Sequence, residues 1–220
     1  MRYLHTEGYA VVTLRELAVL LEANAALPAK TVVLTFDDGF RNFYTEAFPV
    51  LSQYGFRATV FLVSDYAGKH NDWPGNPPQL PRSELLSWEE IRELHRYNIE
   101  FGSHTSSHAD LKHVNKERAQ FEITDSKRVI ADKLGTEPAT FAYPFGRSNA
   151  SVRKMAAAHF RASCSTDLGM VRSGCDTTSL SRIDTYYLSE QRRFETIATS
   201  GFENYMRFRQ LMRSVKSYLT

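Results

Sequence analysis

The 220-residue sequence predicts an α/β protein built on a largely parallel sheet or barrel. Between about residues 11 and 185, short runs rich in β-branched and aromatic residues alternate with segments of helical periodicity, which is typical of repeated βα units. Two of the helical segments begin with a capping box, formed by Thr13 with Glu16 and by Ser87 with Glu90. These observations favour parallel strands connected by helices.

The predicted elements follow one another along the chain. Strands are predicted over residues 31–36, 57–63, 99–104, the first part of 140–146, and 161–166. Helices are predicted over residues 14–27, 43–54, 88–97, 115–134 and 151–160, with Gly55 and Gly135 as left-handed C-caps. Residues 65–82 contain two glycines and four prolines, so we expect a long loop that is functional or mobile.

The length of the chain favours one large domain, predicted over residues 1–187. A helical tail with a solvated charged face is predicted over residues 188–220, packed on that domain. The 27 Lys and Arg residues against 25 Asp and Glu residues argue against a nucleic-acid partner or an anionic membrane. No apolar run reaches the roughly 18 residues of a membrane span, and the N terminus lacks the layout of a signal peptide. Cys164 and Cys175 are free thiols or, in a secreted protein, one pair.

The first segment that can do chemistry follows the first predicted strand. Asp37 and Asp38 stand at its carboxyl end, where parallel α/β proteins place functional groups. The turn at Gly39 allows both carboxylates to reach one pocket. A solvated turn is the alternative, because an Asp-Asp dipeptide is common by chance in a chain of this composition.

The second segment, GSHTSSH, follows the third predicted strand. It places His104 and His108 four residues apart. If the chain turns into a helix after His104, both imidazoles lie on one face, at a spacing that suits one tetrahedral metal ion. Taken alone, the pair is as compatible with a structural role as with metal binding.

The third segment is a turn of four residues, Tyr143, Pro144, Phe145 and Gly146. Such a turn can direct a backbone N–H into a site, although a plain strand-ending turn is the simpler interpretation of this segment by itself. The three segments gain weight together. Two histidines and one aspartate form an open metal site, and a second carboxylate can take a proton from a water bound there.

In this order and spacing, the segments resemble the motifs of the polysaccharide deacetylases, also called the NodB-homology domain or carbohydrate esterase family four. TFDDG, HTSSH and YPFG resemble the first, second and third motif, and the resemblance spans about residues 8–184. It implies a distorted (β/α) barrel and a divalent ion, most often Zn²⁺, with Co²⁺ or Ni²⁺ as alternatives. It also implies hydrolysis of N-acetyl groups on an amino-sugar polysaccharide, the expected glycan partner.

The resemblance assigns a role to each matching residue. Asp37 is the general base, and the metal ligands are Asp38, His104 and His108. The backbone N–H of Phe145, in the turn that begins with Tyr143 and Pro144, helps to hold the tetrahedral oxyanion. An acid must then protonate the departing amine.

Departures from the family pattern affect the base and the acid. Many relatives carry an arginine that orients the base where this chain has Ala142. The late segment that supplies the acidic histidine in relatives reads LSRID here, so Arg182 or Asp184 occupies that neighbourhood. His70 and His113 are the substitute acids that we consider.

Two further expectations concern the N terminus and the activity. Relatives often begin with a strand that ends in Tyr-His, which this chain lacks. Either the barrel lacks its first strand, or the chain is a fragment from which a signal peptide was also lost, in which case it belongs to the cell envelope or is secreted. The alternatives to a deacetylase are a catalytically impaired glycan-binding domain and a deacylase or amidase acting on a small non-glycan C–N bond.

Overall fold

The computed structural model describes residues 1–77 and 79–219 and has α/β architecture. The strands are β1 (Ala10–Val12), β2 (Thr31–Val33), β3 (Thr35–Phe36), β4 (Thr59–Leu62), β5 (Glu100–Ser103), β6 (Thr140–Ala142), β7 (Ala162–Leu168) and β8 (Leu180–Arg182). The α-helices are α1 (Arg2–Thr6), α2 (Leu14–Glu22), α3 (Phe48–Gln53), α4 (Trp88–Arg96), α5 (Lys116–Leu134), α6 (Ala150–Ala157), α7 (Gln191–Phe194) and α8 (Ser200–Leu219).

The strands form a curled parallel half-barrel, which confirms the predicted fold class. Six strands are hydrogen-bonded in the order β3-β4-β5-β6-β7-β8, every pair parallel. β1 and β2 form a separate parallel pair. All carboxyl ends of the six-stranded sheet therefore meet at one rim, and the curl brings the last strand close to the first.

The predicted strand over residues 31–36 is wrong in one respect, because the chain divides it at Leu34. β2 pairs with β1, whereas β3 pairs with β4. The carbonyl of Leu34 accepts a hydrogen bond from the backbone N–H of Thr59 at 2.9 Å. The break lets one stretch of chain change partner between two sheets. Neither β1 nor β8 was predicted as a strand.

α2, α4, α5 and α6 begin within one residue of their predicted starts, whereas α1 was not predicted and α2 ends at Glu22, before its predicted end at residue 27. Both capping boxes are present, at the starts of α2 and α4. α5 ends at Gly135, which has a left-handed φ of 68° and closes the helix with its backbone N–H on Ala131. The predicted helix over residues 43–54 is instead a π-helical turn at Phe43–Ala47 followed by α3. A proline in the first turn of α3 lacks the N–H that would continue a regular ladder.

The core lies between the sheet and its helices. Its largest cluster contains Val60 and Leu62 of β4 together with Ile91 and Leu94 of α4 and Ile130 of α5. α8 packs through Phe202 and Met206 in a smaller cluster with the end of β7. These contacts hold the six-stranded sheet rigidly enough for its rim to position side chains.

Several predicted features lie outside regular structure. After a short 3-10 turn at Ser64–Tyr66, the described part of residues 65–82 is irregular, as predicted, while Pro78 lies outside the described residues. Thr220, the last residue of the predicted tail, also lies outside them. Cys164 and Cys175 are free thiols. Among the described residues, no helix combines the length and the apolar character that crossing a membrane requires.

Candidate metal and catalytic site

The paired aspartates leave the rim of the sheet through a tight left-handed turn. Asp38 has a φ of 69°, and Gly39 has a φ of 73°. A Cβ atom at Gly39 would lie 3.0 Å from Cδ2 of Leu62 in β4, so the turn packs closely against the neighbouring strand. Because Asp38 adopts a conformation that is costly for a residue with a Cβ, the carboxylate direction is fixed by the fold rather than by local preference.

The two histidines meet through an irregular loop rather than through the helical turn that would place them on one face. No helix is assigned over residues 104–108, and Thr105 and His108 have positive φ values of 69° and 58°. Both imidazoles are buried, at 2% and 6% exposure. The loop turns the side chains of His104 and His108 towards the same point, as a helical turn would have done.

Asp38, His104 and His108 form a compact cluster, called here the Asp-His-His cluster. Oδ1 of Asp38 lies 3.4 Å from Nε2 of His104 and 3.3 Å from Nε2 of His108. Nδ1 of His104 lies 2.7 Å from the carbonyl of Ala142. A carbonyl can only accept, so Nδ1 carries the proton and Nε2 presents its lone pair to the cluster.

The donor set fits a small divalent ion. Ligands that lie about 2.0–2.1 Å from a tetrahedral Zn²⁺ are themselves about 3.3–3.4 Å apart, which matches the two separations measured from Asp38. Oδ1 of Asp38 is also buried without a hydrogen-bond partner among the described residues. Among the side chains of Asp, Glu, His and Cys within residues 1–77 and 79–219, these three lie close enough together to share one metal ion.

Protonation states agree with that fit. Burial opposes ionisation of Asp38, but the adjacent imidazoles outweigh it and hold the pKa of this carboxyl well below its usual range. Burial lowers the pKa of His108, which favours the neutral imidazole that a metal requires. His104 differs, because the aspartates outweigh its burial and raise its pKa. A bound cation would reverse that preference.

Asp37 stands beside the cluster and is held by Arg182 at the end of β8. The two guanidinium Nη atoms donate to the two carboxylate oxygens at 2.6 and 2.8 Å. Nε of Arg182 also donates to the carbonyl of Ser165 in β7, at 2.9 Å. Although burial opposes ionisation, the guanidinium lowers the pKa of Asp37, which is therefore a carboxylate at neutral pH.

The arginine that relatives place at the position of Ala142 thus has a counterpart here on another strand. Arg182 and Asp184 are the two residues expected near the late segment that supplies the acidic histidine in relatives. Arg182 reaches the site, whereas Asp184 accepts the backbone N–H of Tyr186 and caps a 3-10 turn. The segment LSRID shows in the sequence that an arginine lies in this region, but the sequence does not show that Asp37 is its partner. Only the curl of the sheet brings β8 to Asp37, which is 145 residues away.

The turn after β6 lies next to the histidines. Phe145 has a φ of 58°. The centroid of its ring lies 4.7 Å from the centroid of the His108 ring, in an edge-to-face contact. A Cβ atom at Gly146 would clash with Oγ1 of Thr166 and lie 2.6 Å from its backbone nitrogen, so only glycine fits. Tyr143 is fully buried, and its hydroxyl donates to the carbonyl of Thr178 at 2.8 Å. The side chain of Tyr143 is therefore a packing group, and Pro144, also buried, is part of the turn's support.

The two substitute acids are not brought into the cluster. His113 is bound through Nδ1 to Asp110 at 2.9 Å, and its side chain is 66% exposed. His70 lies in the long loop, where its backbone bridges to Glu84. In the described part of the chain, neither histidine makes a hydrogen bond or ion pair to Asp37 or to the Asp-His-His cluster.

Comparison with known proteins identifies the family to which this site belongs. A family model described as polysaccharide deacetylase matches residues 24–160. The chain therefore belongs to the polysaccharide deacetylase family. The matched stretch includes the paired aspartates, both histidines and the turn after β6, whereas Arg182 lies outside it.

Individual relatives agree with the family. The chain is 31% identical to the Bacillus subtilis (strain 168) protein YxkH, whose name assigns it to the polysaccharide deacetylases, over 157 residues that make up 71% of this chain and 51% of YxkH. It is 26% identical to the poly-β-1,6-N-acetyl-D-glucosamine N-deacetylase of Escherichia coli (strain K12) over 181 residues, 67% of this chain and 26% of that enzyme. The chain thus spans about half the length of the first relative and about a quarter of the second.

A solved structure is similar across most of the fold. The Streptococcus pyogenes deacetylase PplD in complex with acetate superposes with a TM-score of 0.73 at 27% sequence identity. The similarity covers 83% of this chain and 76% of PplD. The curled half-barrel is accordingly a fold that deacetylases use.

Proposed function

We propose that this chain is a metal-dependent hydrolase that removes N-acetyl groups from an amino-sugar polysaccharide. The observation that carries the proposal is the position of Asp37, an ionised carboxylate fixed by Arg182 directly beside the Asp-His-His cluster. A carboxylate next to an open metal site is the arrangement that metal-assisted hydrolysis needs.

The Asp-His-His cluster is the proposed site for Zn²⁺, with Co²⁺ or Ni²⁺ as alternatives. A divalent ion held there supplies Lewis acidity and lowers the pKa of a bound water from about 15.7 towards about 7. Asp38 contributes the negative charge of the site, and the neutral imidazoles of His104 and His108 contribute the remaining protein ligands. Three protein ligands leave a position open for water and substrate.

Asp37 is the proposed general base. Its lowered pKa keeps it deprotonated across the neutral range, so every molecule of enzyme holds the base in its active form. The bidentate contact with Arg182 fixes both oxygens, which prevents Asp37 from rotating towards the ion as a further ligand. No third imidazole binds these side chains in the described residues, so the proton taken up by Asp37 is the one available to the departing amine.

The backbone N–H of Phe145 is the proposed oxyanion donor. The positive φ of Phe145 and the close packing of Gly146 fix the direction of this part of the backbone before substrate arrives. A donor that is oriented in advance costs no reorganisation when negative charge develops on the acetyl oxygen.

Poly-β-1,6-N-acetylglucosamine is the first substrate to test, because the E. coli relative is named for that polymer. We would measure acetate release from it, from chitooligosaccharides and from peptidoglycan, with Zn²⁺ or Co²⁺ added to metal-free protein. The proposal expects metal-dependent acetate release from at least one polymer, and loss of that release in Asp37→Asn. Metal-loaded protein that binds the polymers without turnover would instead favour the glycan-binding alternative, and turnover confined to small amides would favour the amidase.

A further inference from the structure

A buried glutamate that belongs to none of the three motifs holds the loop between the two imidazole ligands. Glu122 lies in α5, and its side chain is fully buried. Its Oε2 accepts the backbone N–H groups of Ser106 and Ser107, each at 2.9 Å. Its Oε1 accepts the hydroxyl of Ser107 at 2.5 Å. One carboxylate therefore binds both residues at the centre of the loop that joins His104 to His108.

Two backbone carbonyls of this loop face the opposite way. The carbonyl of Thr105 accepts the N–H of Ser64 at 3.2 Å, and the carbonyl of Ser106 accepts the N–H of Asp65 at 3.0 Å. The loop is thus held from two sides: the segment after β4 binds these two carbonyls, and Glu122 binds the backbone N–H groups of Ser106 and Ser107. Without Glu122, the N–H of the fully buried Ser106 would lose its acceptor.

The backbone conformation explains why the loop needs such a clamp. Thr105 and His108 both lie in the left-handed region, immediately outside the two residues that Glu122 binds. Non-glycine residues in this region are strained, and they persist only where the surrounding structure over-determines them. His108 is itself a candidate ligand, so relaxation of its φ would swing its imidazole away from Asp38.

The charge of Glu122 is compensated within the same group of contacts. Nη2 of Arg118, one turn earlier in α5, lies 2.5 Å from Oε1, and it also donates to the Ser107 hydroxyl at 3.2 Å. A buried carboxylate with two backbone donors, one hydroxyl donor and one guanidinium partner has the hydrogen bonds that its burial requires.

We propose that Glu122 is a positioning residue for the metal site: through its Oε2 bonds to Ser106 and Ser107 it fixes His104 and His108 at the separation that a metal ion needs. This inference rests on the proposed metal site, and it concerns how the ligands are placed before the ion binds. Groups that orient ligands from outside the coordination sphere typically change metal affinity about 10–100-fold when they are removed.

Two substitutions separate the reach of the side chain from its charge. Glu122→Asp keeps the charge, but its side chain is shorter by one methylene, so its oxygens no longer reach the backbone N–H groups of Ser106 and Ser107. Glu122→Gln loses the charge but keeps an acceptor oxygen at the position of Oε2, while its amide NH2 takes the place of Oε1 and no longer accepts from the Ser107 hydroxyl or from Arg118. Ile123→Ala is the matched control, because Ile123 is the next residue of α5, is fully buried in a core cluster with Phe141 and Phe160, and has no side-chain hydrogen bond to the loop.

The measurement is the Zn²⁺ affinity of metal-free protein, by competition with a chromophoric chelator, together with urea unfolding of the metal-free variants. We expect Glu122→Asp to bind Zn²⁺ about 10–100-fold more weakly, while Glu122→Gln stays within about threefold of wild type. Ile123→Ala should lose stability and keep its affinity. In Co²⁺-loaded protein, the visible spectrum of Glu122→Asp should change, since ligand geometry changes.

Three results would overturn the inference. Unchanged affinity in Glu122→Asp would show that the loop holds itself. Equal weakening in Glu122→Gln would assign the effect to the charge or to the contacts of Oε1, and not to the Oε2 bonds. Equal weakening in Ile123→Ala would assign it to general loss of stability. If the wild-type protein bound no Zn²⁺, the proposed metal site itself would be refuted. If the wild-type protein bound Zn²⁺ but no more tightly than Glu122→Asp, only the role of Glu122 would be refuted.

Discussion

Replacement of Arg182 by methionine tests how Asp37 is made ready for proton transfer. The substitution removes both charge-assisted hydrogen bonds to Asp37, at 2.6 and 2.8 Å, together with the bond from Nε to the carbonyl of Ser165, and leaves a side chain of similar length. Hydrogen bonds to charged groups contribute about 1.5–3 kcal/mol each, and breaking a buried pair costs about 3–5 kcal/mol. The side chains of Arg182 and Asp37 remain 18% and 32% exposed, so they are not fully buried. We therefore expect the free energy of unfolding to fall by about 3 kcal/mol, near the lower end of the range for a buried pair.

The sign of the pH dependence follows from the direction of the pKa shift. In the wild-type chain the pKa of Asp37 is lowered, so its ion pair stabilises the fold above the ordinary pKa of a carboxyl and is lost as pH falls through the folded value. In Arg182→Met, the guanidinium no longer offsets burial, so the pKa of Asp37 is higher than in the wild-type chain. The acidic limb of kcat/KM should therefore move to higher pH, and the stability difference from wild type should shrink in acid.

The assay is acetate release measured from pH 4 to pH 9 at fixed Zn²⁺, with urea unfolding at the same pH values. At neutral pH we expect kcat to fall about 100-fold, since a base displaced by about 1 Å loses that much, while Zn²⁺ affinity stays near wild type. Arg182→Lys should restore part of the pH profile and little of the rate, because lysine keeps the charge without the bidentate geometry. Arg172→Ala, which breaks an exposed ion pair with Glu203, is the control. An Arg182→Met enzyme with wild-type kcat and pH profile would refute the reasoning.

The other predictions concern the ligands, the turn after β6 and the buried tyrosine. Asp38→Ala should lose Zn²⁺ binding, whereas Asp37→Asn should retain Zn²⁺ and lose about 10²–10⁴-fold in rate. Equilibrium dialysis measures the Zn²⁺ binding, and acetate release measures the rate. Full activity in Asp37→Asn would disprove the role of Asp37 as the base. Gly146→Ala should cost about 1–3 kcal/mol more than Gly135→Ala, since both have similar positive φ values but only Gly146 lacks space for a Cβ; equal urea midpoints would contradict this. Tyr143→Phe should lose about 1 kcal/mol of stability with the hydrogen bond to Thr178 and keep its KM; a large rise in KM would instead place its hydroxyl at the substrate.

Local signals in the sequence determined much of the fold. The capping residues of α2 and α4 and the glycine that ends α5 act within one turn of the chain, so their effect is visible in a few consecutive letters. The boundaries that failed depend on distant partners. The break at Leu34 exists because β1 and β4 compete for one stretch of chain, and nothing in the letters of that stretch shows it.

The candidate site divides in the same way. Asp37, Asp38, His104 and His108 were predicted because each follows a strand, and parallel strands bring their carboxyl ends to one rim. The sequence could not show that the histidines meet through a strained loop clamped by Glu122, because the clamp lies 14 residues beyond His108 on another element. It also could not show that Arg182 binds Asp37, because that contact exists only once the sheet has curled. Residue type and local spacing thus determined which groups can do chemistry, and only the closure of the tertiary structure decided which distant side chains hold them in place.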